Sequence, residues 1–510
     1  MVRNLMIQGT MSGVGKSLIV AGLCRIFKQD GMSPAPFKSQ NMALNSYITS
    51  DGLEMGRAQV MQAYAAGIEP QIEMNPVLLK PTDDTGSQVI VNGRPVGNMS
   101  AIEYYGYKKT LLPKIGQAYD ILSAKYSPII IEGAGSPAEI NLKDNDIVNM
   151  GLAEILDAPV FLVGDIDRGG VFAQLLGTMM LLSFRERARV RGMIINKFRG
   201  DLTLLSPGIT EIEKKTGVPV IGVVPYIPDL KLEDEDSLTE RFDRKPDKDA
   251  LITIAVIRLP RISNFSDFDP FEQNPAVSVV YTTDKETLRK ADMIIIPGTK
   301  NTIADMEFLA DSGIAGLLRE IKGNIPIFGI CGGLQILGET IEDPDGYEGG
   351  GQVNGLGLLP IRTMFFEEKR QARTEGYINK DIDGILHSLS GLHCTGYEIH
   401  MGGTVGHAHA SLPCDPDNQD NACRVFSSPD DVYGTYMHGI FDESSVTNTV
   451  LTALAEKKGI SVDTTAQKDE KDFRNDGYDT VARVLRENID MDLIRMILNA
   501  GMSSDMTPGL

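Results

Sequence analysis

Along the chain, short apolar runs rich in β-branched residues alternate with longer segments in which apolar positions recur every three or four residues. The runs LMIQG (5–9), PIIIEG (128–133), PVFLVGD (159–165), GMIINK (192–197) and VPVIGVVP (218–225) are apolar on both faces. Strands of this kind separated by helical patterns predict a parallel sheet covered on both sides. The alternation stops at 231–250, which is almost wholly polar, and a second strand series begins at Leu251: LITIAVIRL, ADMIIIPG, IPIFGIC and VYGTYMHG. The pattern therefore predicts an α/β chain with a parallel-sheet domain over 1–245 and a second α/β domain over 246–500. The final residues read as a helix (MDLIRMILNA) followed by a flexible tail over 501–510. The longest apolar stretch, VFAQLLGTMMLLSF at 171–184, is shorter than the ~20 residues of a membrane span and carries polar interruptions, so it predicts a buried helix and no membrane.

Composition narrows the partners. The 510 residues carry a net charge of -20, which repels nucleic acid and anionic membranes and leaves any anionic ligand dependent on a local cluster of cations. The five cysteines (24, 331, 394, 414, 423) are sparse and lack C-x-x-C spacing, so neither a disulfide framework nor a zinc knuckle is expected. A reducing, cytoplasmic setting fits, and the opening residues read as folded protein rather than as a targeting segment.

The first chemistry-bearing motif follows the first strand: Gly9-Thr-Met-Ser-Gly13-Val-Gly15-Lys16-Ser17, leading into the helical LIVAGLCRIF. A glycine-rich turn at a helix N-terminus aims backbone N–H groups at phosphate, with Lys16 reaching the terminal oxygens and Ser17 ligating Mg²⁺. Five residues rather than four separate Gly9 from Gly15, an expanded P-loop that resembles the dethiobiotin-synthetase-like branch. Glu132 ends a strand and is expected at the carboxyl edge of the sheet as a second Mg²⁺ ligand. Lys38 and Asn196 fall at the same edge, Asn196 as a reader of adenine through its amide. The implied cofactors are ATP and Mg²⁺.

The second motif is IPIFGI-Cys331-Gly332-Gly333-LQILG, an apolar strand delivering a thiol into a glycine-rich turn and then a helix, the form of a nucleophile elbow that holds its nucleophile exposed. Cys24, in an apolar helical stripe, reads as packing. A nucleophilic thiol needs a base, and His438, after the strand VYGTYM, is preferred over its rival His400 in GYEIHMG. His387 and His393 read as surface residues, and His407 and His409 as alternating positions in a strand or loop. The turn after ADMIII places Gly298 where its backbone N–H and that of Gly332 can form an oxyanion hole.

The segments KSQNMALNS (38–46), EMGRAQVMQA (54–63), MNPVLLKP (74–81), EGAGSPAEINL (132–142), GDIDRGGVFA (164–173), INKFRGD (195–201), IPGTKNT (296–302), GICGGLQILG (329–338) and GYEIHMG (396–402) together resemble the glutamine-dependent cobyric acid synthases over nearly the whole chain. That resemblance implies an ATP-dependent synthase domain joined to a class I glutaminase domain. It further implies amidation of the b, d, e and g carboxylates of adenosylcobyrinic acid a,c-diamide, one ATP and one glutamine per amide. By the same resemblance Cys331 is the nucleophile, His438 the base and Glu54 a second magnesium carboxylate. Asp146 and Arg168 are substrate-side candidates, and Arg57, Lys80, Arg94 and Arg199 complete an expected basic patch. Class I glutaminases often carry a glutamate two residues after the histidine. Here that position is Ile440, which leaves either a dyad or an acid from elsewhere, with Glu398 a candidate. The competing readings are the sister synthase for the a and c carboxylates and an ATP-switched partner-binding protein of the partitioning kind, which needs no cysteine elbow.

Overall fold

The structure, a computed structural model, describes residues 3–81, 86–228, 230, 232, 242, 245–247, 249–348, 350–406, 423–465 and 467–503. The chain divides into two compact units, Met1–Ala43 with Leu53–Ser237 and Arg474–Leu510, and Leu44–Gly52 with Leu238–Phe473.

In the first unit the described residues form a six-stranded sheet in the order Val220–Pro225, Val190–Phe198, Val160–Asp165, Asn4–Gly9, Ile129–Glu132, Ala35–Phe37. Every neighbour pair is parallel, as the two-sided apolar runs require. Asn4–Gly9 lies between Val160–Asp165 and Ile129–Glu132, with Ile7 opposite Glu132 and Gly9 opposite Val163. The glycine-rich loop and Glu132 thus emerge at the same carboxyl edge. A small sheet of Gln40–Met42, Val77–Pro81, Gly86–Val91 and Arg94–Ser100 sits beside it in sequence order.

Two features of this unit depart from the pattern. The helix Val171–Leu181 buries Val171, Leu175, Thr178 and Met179, but Met180 and Leu181 are 64% and 49% exposed, so only one face of the expected buried helix is covered. Second, the helical segments after Arg474 belong to this unit, not to a second domain running to residue 500. Tyr478, Val481, Leu485, Ile494 and Leu498 lie in one apolar core with Leu23, Ile26 and Phe27. The cause is a close helix approach: a Cβ on Gly22 would lie 2.4 Å from Leu485 Cδ1, so the glycine makes room for that side chain. Helical periodicity shows that a face is buried but not against which sheet. Gly501–Ser503 forms a short 3₁₀ turn, and the rest of the expected tail, 504–510, lies outside the described residues.

The second unit has its own sheet, Val277–Thr282, Ile252–Ile257, Met293–Ile296, Ile327–Ile330, Val432–Thr435 and Phe426–Ser428, parallel except for the last pairing. Among the described residues a mixed sheet built on the long hairpin Ile361–Tyr377 and His393–Gly406 ends on the short strand Met437–His438. No helix among the described residues is long and apolar enough to cross a membrane.

Candidate active site

In the first unit the loop between Gly9 and the helix Lys16–Gln29 turns through two left-handed glycines, Gly13 (φ 76) and Gly15 (φ 87). At Gly15 any side chain would also collide with Asn196, whose Nδ2 lies 2.4 Å from the place a Cβ would take. Asn196 turns its amide nitrogen toward this loop. Its Nδ2 donates to Val14 O at 2.8 Å, and the next residue, Lys197, donates from Nζ to Gly13 O at 2.7 Å. Adjacent side chains at the end of one strand therefore hold the loop's backbone in shape. Lys16 Nζ donates to Met11 O at 3.1 Å, inside the loop that it would serve.

Glu132 is the hub of the carboxyl edge. It is 1% exposed and accepts from Ser17 Oγ at 2.9 Å, Lys38 Nζ at 2.8 Å and Gln62 Nε2. Burial alone would raise this carboxyl, but Lys38, Gln62 and Lys16 outweigh it and hold the group below the usual carboxylate range. Glu132 is an anion at neutral pH in consequence. Glu54 is fully buried and forms an ion pair with Lys80. That pair removes Lys80 from the expected basic patch, and Arg57 is buried as well. Arg168 is 59% exposed, its Nε 3.9 Å from Asp165 Oδ2, and Arg199 lies over the Tyr226 ring at 3.5 Å. None of the five patch residues lines the cavity beside the loop.

That cavity, about 410 Å³, is lined by Ser12, Lys16, Ser17, Lys38, Glu132 and Asp146 among others, and by two further lysines, Lys108 and Lys143. Sequence reasoning missed both lysines, because neither Lys108 in YYGYKKTLL nor Lys143 in INLKDN belongs to a motif that ties it to the loop. Asp146 faces the cavity, but its oxygens are committed to the backbone N–H groups of Val148 (2.9 Å), Asn149 (2.8 Å) and Gly151 (3.0 Å). It shapes the turn before the helix Met150–Ile155.

In the second unit Cys331 ends the strand Ile327–Ile330 with φ 53 and ψ -109, a left-handed conformation that costs a non-glycine residue energy and marks a strained turn. Its N–H donates to Thr435 O at 2.8 Å. Gly333 is obligatory, since a Cβ there would lie 2.0 Å from Ile296 O. The thiol is not exposed as the elbow pattern predicts: Cys331 is 7% exposed, with Sγ 3.6 Å from Ile399 O. Gly298 lies against His438, and Gly332 lies against Thr299, the residue after Gly298. A Cβ on Gly298 would lie 3.2 Å from His438 Cε1, and one on Gly332 would lie 2.6 Å from Thr299 Cγ2.

His438 is 1% exposed, and its Nδ1 lies 2.7 Å from Asp267 Oδ2. Asp267 Oδ1 accepts from the Gly439 N–H at 3.0 Å, so the carboxylate grips both the imidazole and its backbone. The Asn264 amide approaches Nε2 at 3.1 Å and Tyr397 stacks on the ring at 5.2 Å. Burial alone would lower the imidazole. The charge and hydrogen bond of Asp267, with a further contribution from Cys331, reverse this and raise it to about 9. Glu398 is elsewhere, bound to Arg370 Nε at 2.5 Å and 3.6 Å from His400 Nε2, while His400 stacks on Tyr436 at 3.8 Å. His393 is half exposed and His387 exposed; His407 and His409 lie outside the described residues.

Comparison with known proteins matches each half separately. Residues 5–239 fit the CobQ/CobB/MinD/ParA nucleotide binding domain, and residues 253–446 fit the CobB/CobQ-like glutamine amidotransferase domain. The cobyric acid synthase of Lachnoclostridium phytofermentans is 51% identical, covering 98% of this chain and all of that protein. The chain belongs to the cobyric acid synthase family. The cobyric acid synthases of Ruminiclostridium cellulolyticum (50% identical, 99% of this chain, 98% of that one) and Alkaliphilus metalliredigens (49%, 97% and 99%) agree over the same length. Membership makes the chain an ATP-dependent glutamine amidotransferase, a carbon–nitrogen ligase of cobalamin biosynthesis. A cobyric acid synthase of this make-up needs a nucleotide site and a glutaminase site, and the two units carry one candidate for each.

Proposed function

We propose that this chain amidates the b, d, e and g carboxylates of (adenosyl)cobyrinic acid a,c-diamide, with ammonia from a Cys331–His438–Asp267 triad. The observation that carries the glutaminase half is the 2.7 Å contact between Asp267 and His438 Nδ1. It supplies the orienting acid that position 440 lacks. His438 takes the proton of Cys331 and holds it, as an imidazolium that Asp267 stabilises, until the leaving nitrogen needs it. The sulfur adds to the carboxamide of glutamine while the N–H groups of Gly298 and Gly332 receive the oxyanion. As the adduct collapses the imidazolium gives its proton to the amide nitrogen, which leaves as ammonia; His438 then takes a proton from the water that attacks the thioester and returns it to the departing sulfur, releasing glutamate.

In the first unit, Gly13, Gly15, Lys16 and the helix start bind the triphosphate of ATP. The hydroxyl of Ser17 and the carboxylate of Glu132, which share a hydrogen bond, are hard oxygen donors suited to Mg²⁺. When bound there, the ion supplies charge neutralisation for the phosphates. Lys16 neutralises the transferring phosphoryl group as a corrinoid carboxylate attacks it, giving ADP and an acyl phosphate. Ammonia displaces phosphate from that carbonyl to leave the amide.

Incubating the protein with ATP, glutamine and cobyrinic acid a,c-diamide and counting added amides by mass tests the assignment. Four amides are expected. Products that stop at two, or amidation of the a and c positions of cobyrinic acid in place of the others, would favour the sister reaction.

A further inference from the structure

The cavity of the first unit contains four lysines, and three of them are already engaged. Lys16 donates to Met11 O, Lys38 is paired with Glu132 at 2.8 Å, and Lys143 bonds Glu186 at 2.9 Å and Leu181 O at 3.1 Å. The backbone N–H of Lys108 donates to Tyr104 O, but its ammonium makes no hydrogen bond or ion pair with any described residue, although the residue is 9% exposed. It opens the 3₁₀ turn Lys108–Leu111, which follows the helix Ala101–Tyr107, and lines the cavity. The charge that acts on it is that of Asp146, whose two oxygens already serve three backbone N–H groups. Burial pulls the ammonium below the ordinary lysine range. A desolvated, unpartnered cation aimed into a cavity is costly unless an anion completes it.

We infer that Lys108 is the residue that receives a carboxylate of the corrinoid acceptor. This rests on the proposal that the cavity is the synthase site. A carboxylate fits better here than a phosphate. The phosphate end of the cavity is built from the P-loop, whereas Lys108 comes from a separate element. The rim residues Met42 and Leu142, 58% and 44% exposed, are apolar and suit the methyl-bearing edge of a macrocycle rather than a nucleotide triphosphate. Lys108 is then a positioning residue that aligns the acceptor for attack on phosphorus.

Steady-state kinetics with ammonium as nitrogen source test this in Lys108→Met and Lys108→Arg. Loss of one charge-assisted hydrogen bond should raise KM for cobyrinic acid a,c-diamide in Lys108→Met by about tenfold to a hundredfold. KM for ATP should stay within about twofold, and Lys108→Arg should recover most of the loss. Removing an unpaired buried charge should leave Tm unchanged or higher. A rise in KM for ATP instead would make Lys108 a phosphate ligand, and unchanged constants would make it a bystander. A marked fall in Tm would make it a structural cation; each of these results overturns the assignment. Lys16→Ala in the same assay separates the two claims. If it retains ammonia-dependent amidation, the cavity is not the synthase site. If it is inactive while Lys108→Met behaves as wild type, only the role of Lys108 falls.

Discussion

At the scale of single residues the decisive pair is Asp267 and His438. Asp267→Asn keeps the shape but removes the charge that fixes the imidazole's tautomer, and glutaminase turnover should fall about a thousandfold or more. Glu398→Gln, which touches Arg370 and His400 but not His438, should cost less than about tenfold. Equal losses in the two variants would contradict the triad. The same pair fixes a pH dependence. The His438 imidazole is raised from 6.5 to about 9, so its ion pair stabilises the fold fully below pH 6.5 and that contribution disappears as pH rises through about 9. The Tm gap between wild type and Asp267→Asn should therefore be widest below pH 6.5 and close towards pH 9. A gap that widens with pH would reverse the assignment. Cys331 and His438 were legible because an elbow and a strand-end histidine have local signatures. Asp267 was not, since it lies 171 residues from its partner and no spacing rule joins them. An acid flanked by phenylalanines in FSDFDPF was the available signal, as aromatic neighbours foretell burial and a buried acid needs a partner.

At the scale of elements both sites depend on turns too tight for side chains. Gly333→Ala would drive a Cβ to 2.0 Å from the Ile296 carbonyl, backbone against backbone, and the elbow has no flexible side chain that can yield. We expect destabilisation of about 3 kcal/mol or more and loss of glutaminase activity. Gly316→Ala is the control. It lies in the helix Ile314–Ile321 with nothing within 4 Å of the added methyl, and should stabilise by about 0.5–1 kcal/mol. Thermal denaturation of the two variants checks both signs. The strands that carry these turns were legible from their apolar runs. The clamp on the P-loop was not: the position of Asn196 at a sheet edge is the same in sequence whether its side chain points to a nucleotide or to the loop that holds one, and Lys197 carries no signal of its contact with Gly13 O.

At the scale of the whole molecule the chain order and the folded units differ. Residues from Arg474 onward complete the core of the first unit, and Arg25 forks onto Asp479 at 2.7 and 3.0 Å on the same helix pair. Leu485→Ala, at a fully packed position beside Gly22, should cost about 2–5 kcal/mol and lower the thermal stability of ATP-dependent amidation before that of glutamine hydrolysis. The reverse order would place the last helices with the glutaminase. The central claim is that this enzyme joins two separable chemistries, a thiol that liberates ammonia and an ATP site that uses it. Cys331→Ala, supplied with ATP, cobyrinic acid a,c-diamide and ammonium at a pH that populates free NH₃, measures this most directly. Glutamine-dependent amidation should be absent and ammonia-dependent amidation close to wild type; a folded Cys331→Ala protein that cannot use ammonia would show that the thiol belongs to the synthase chemistry itself.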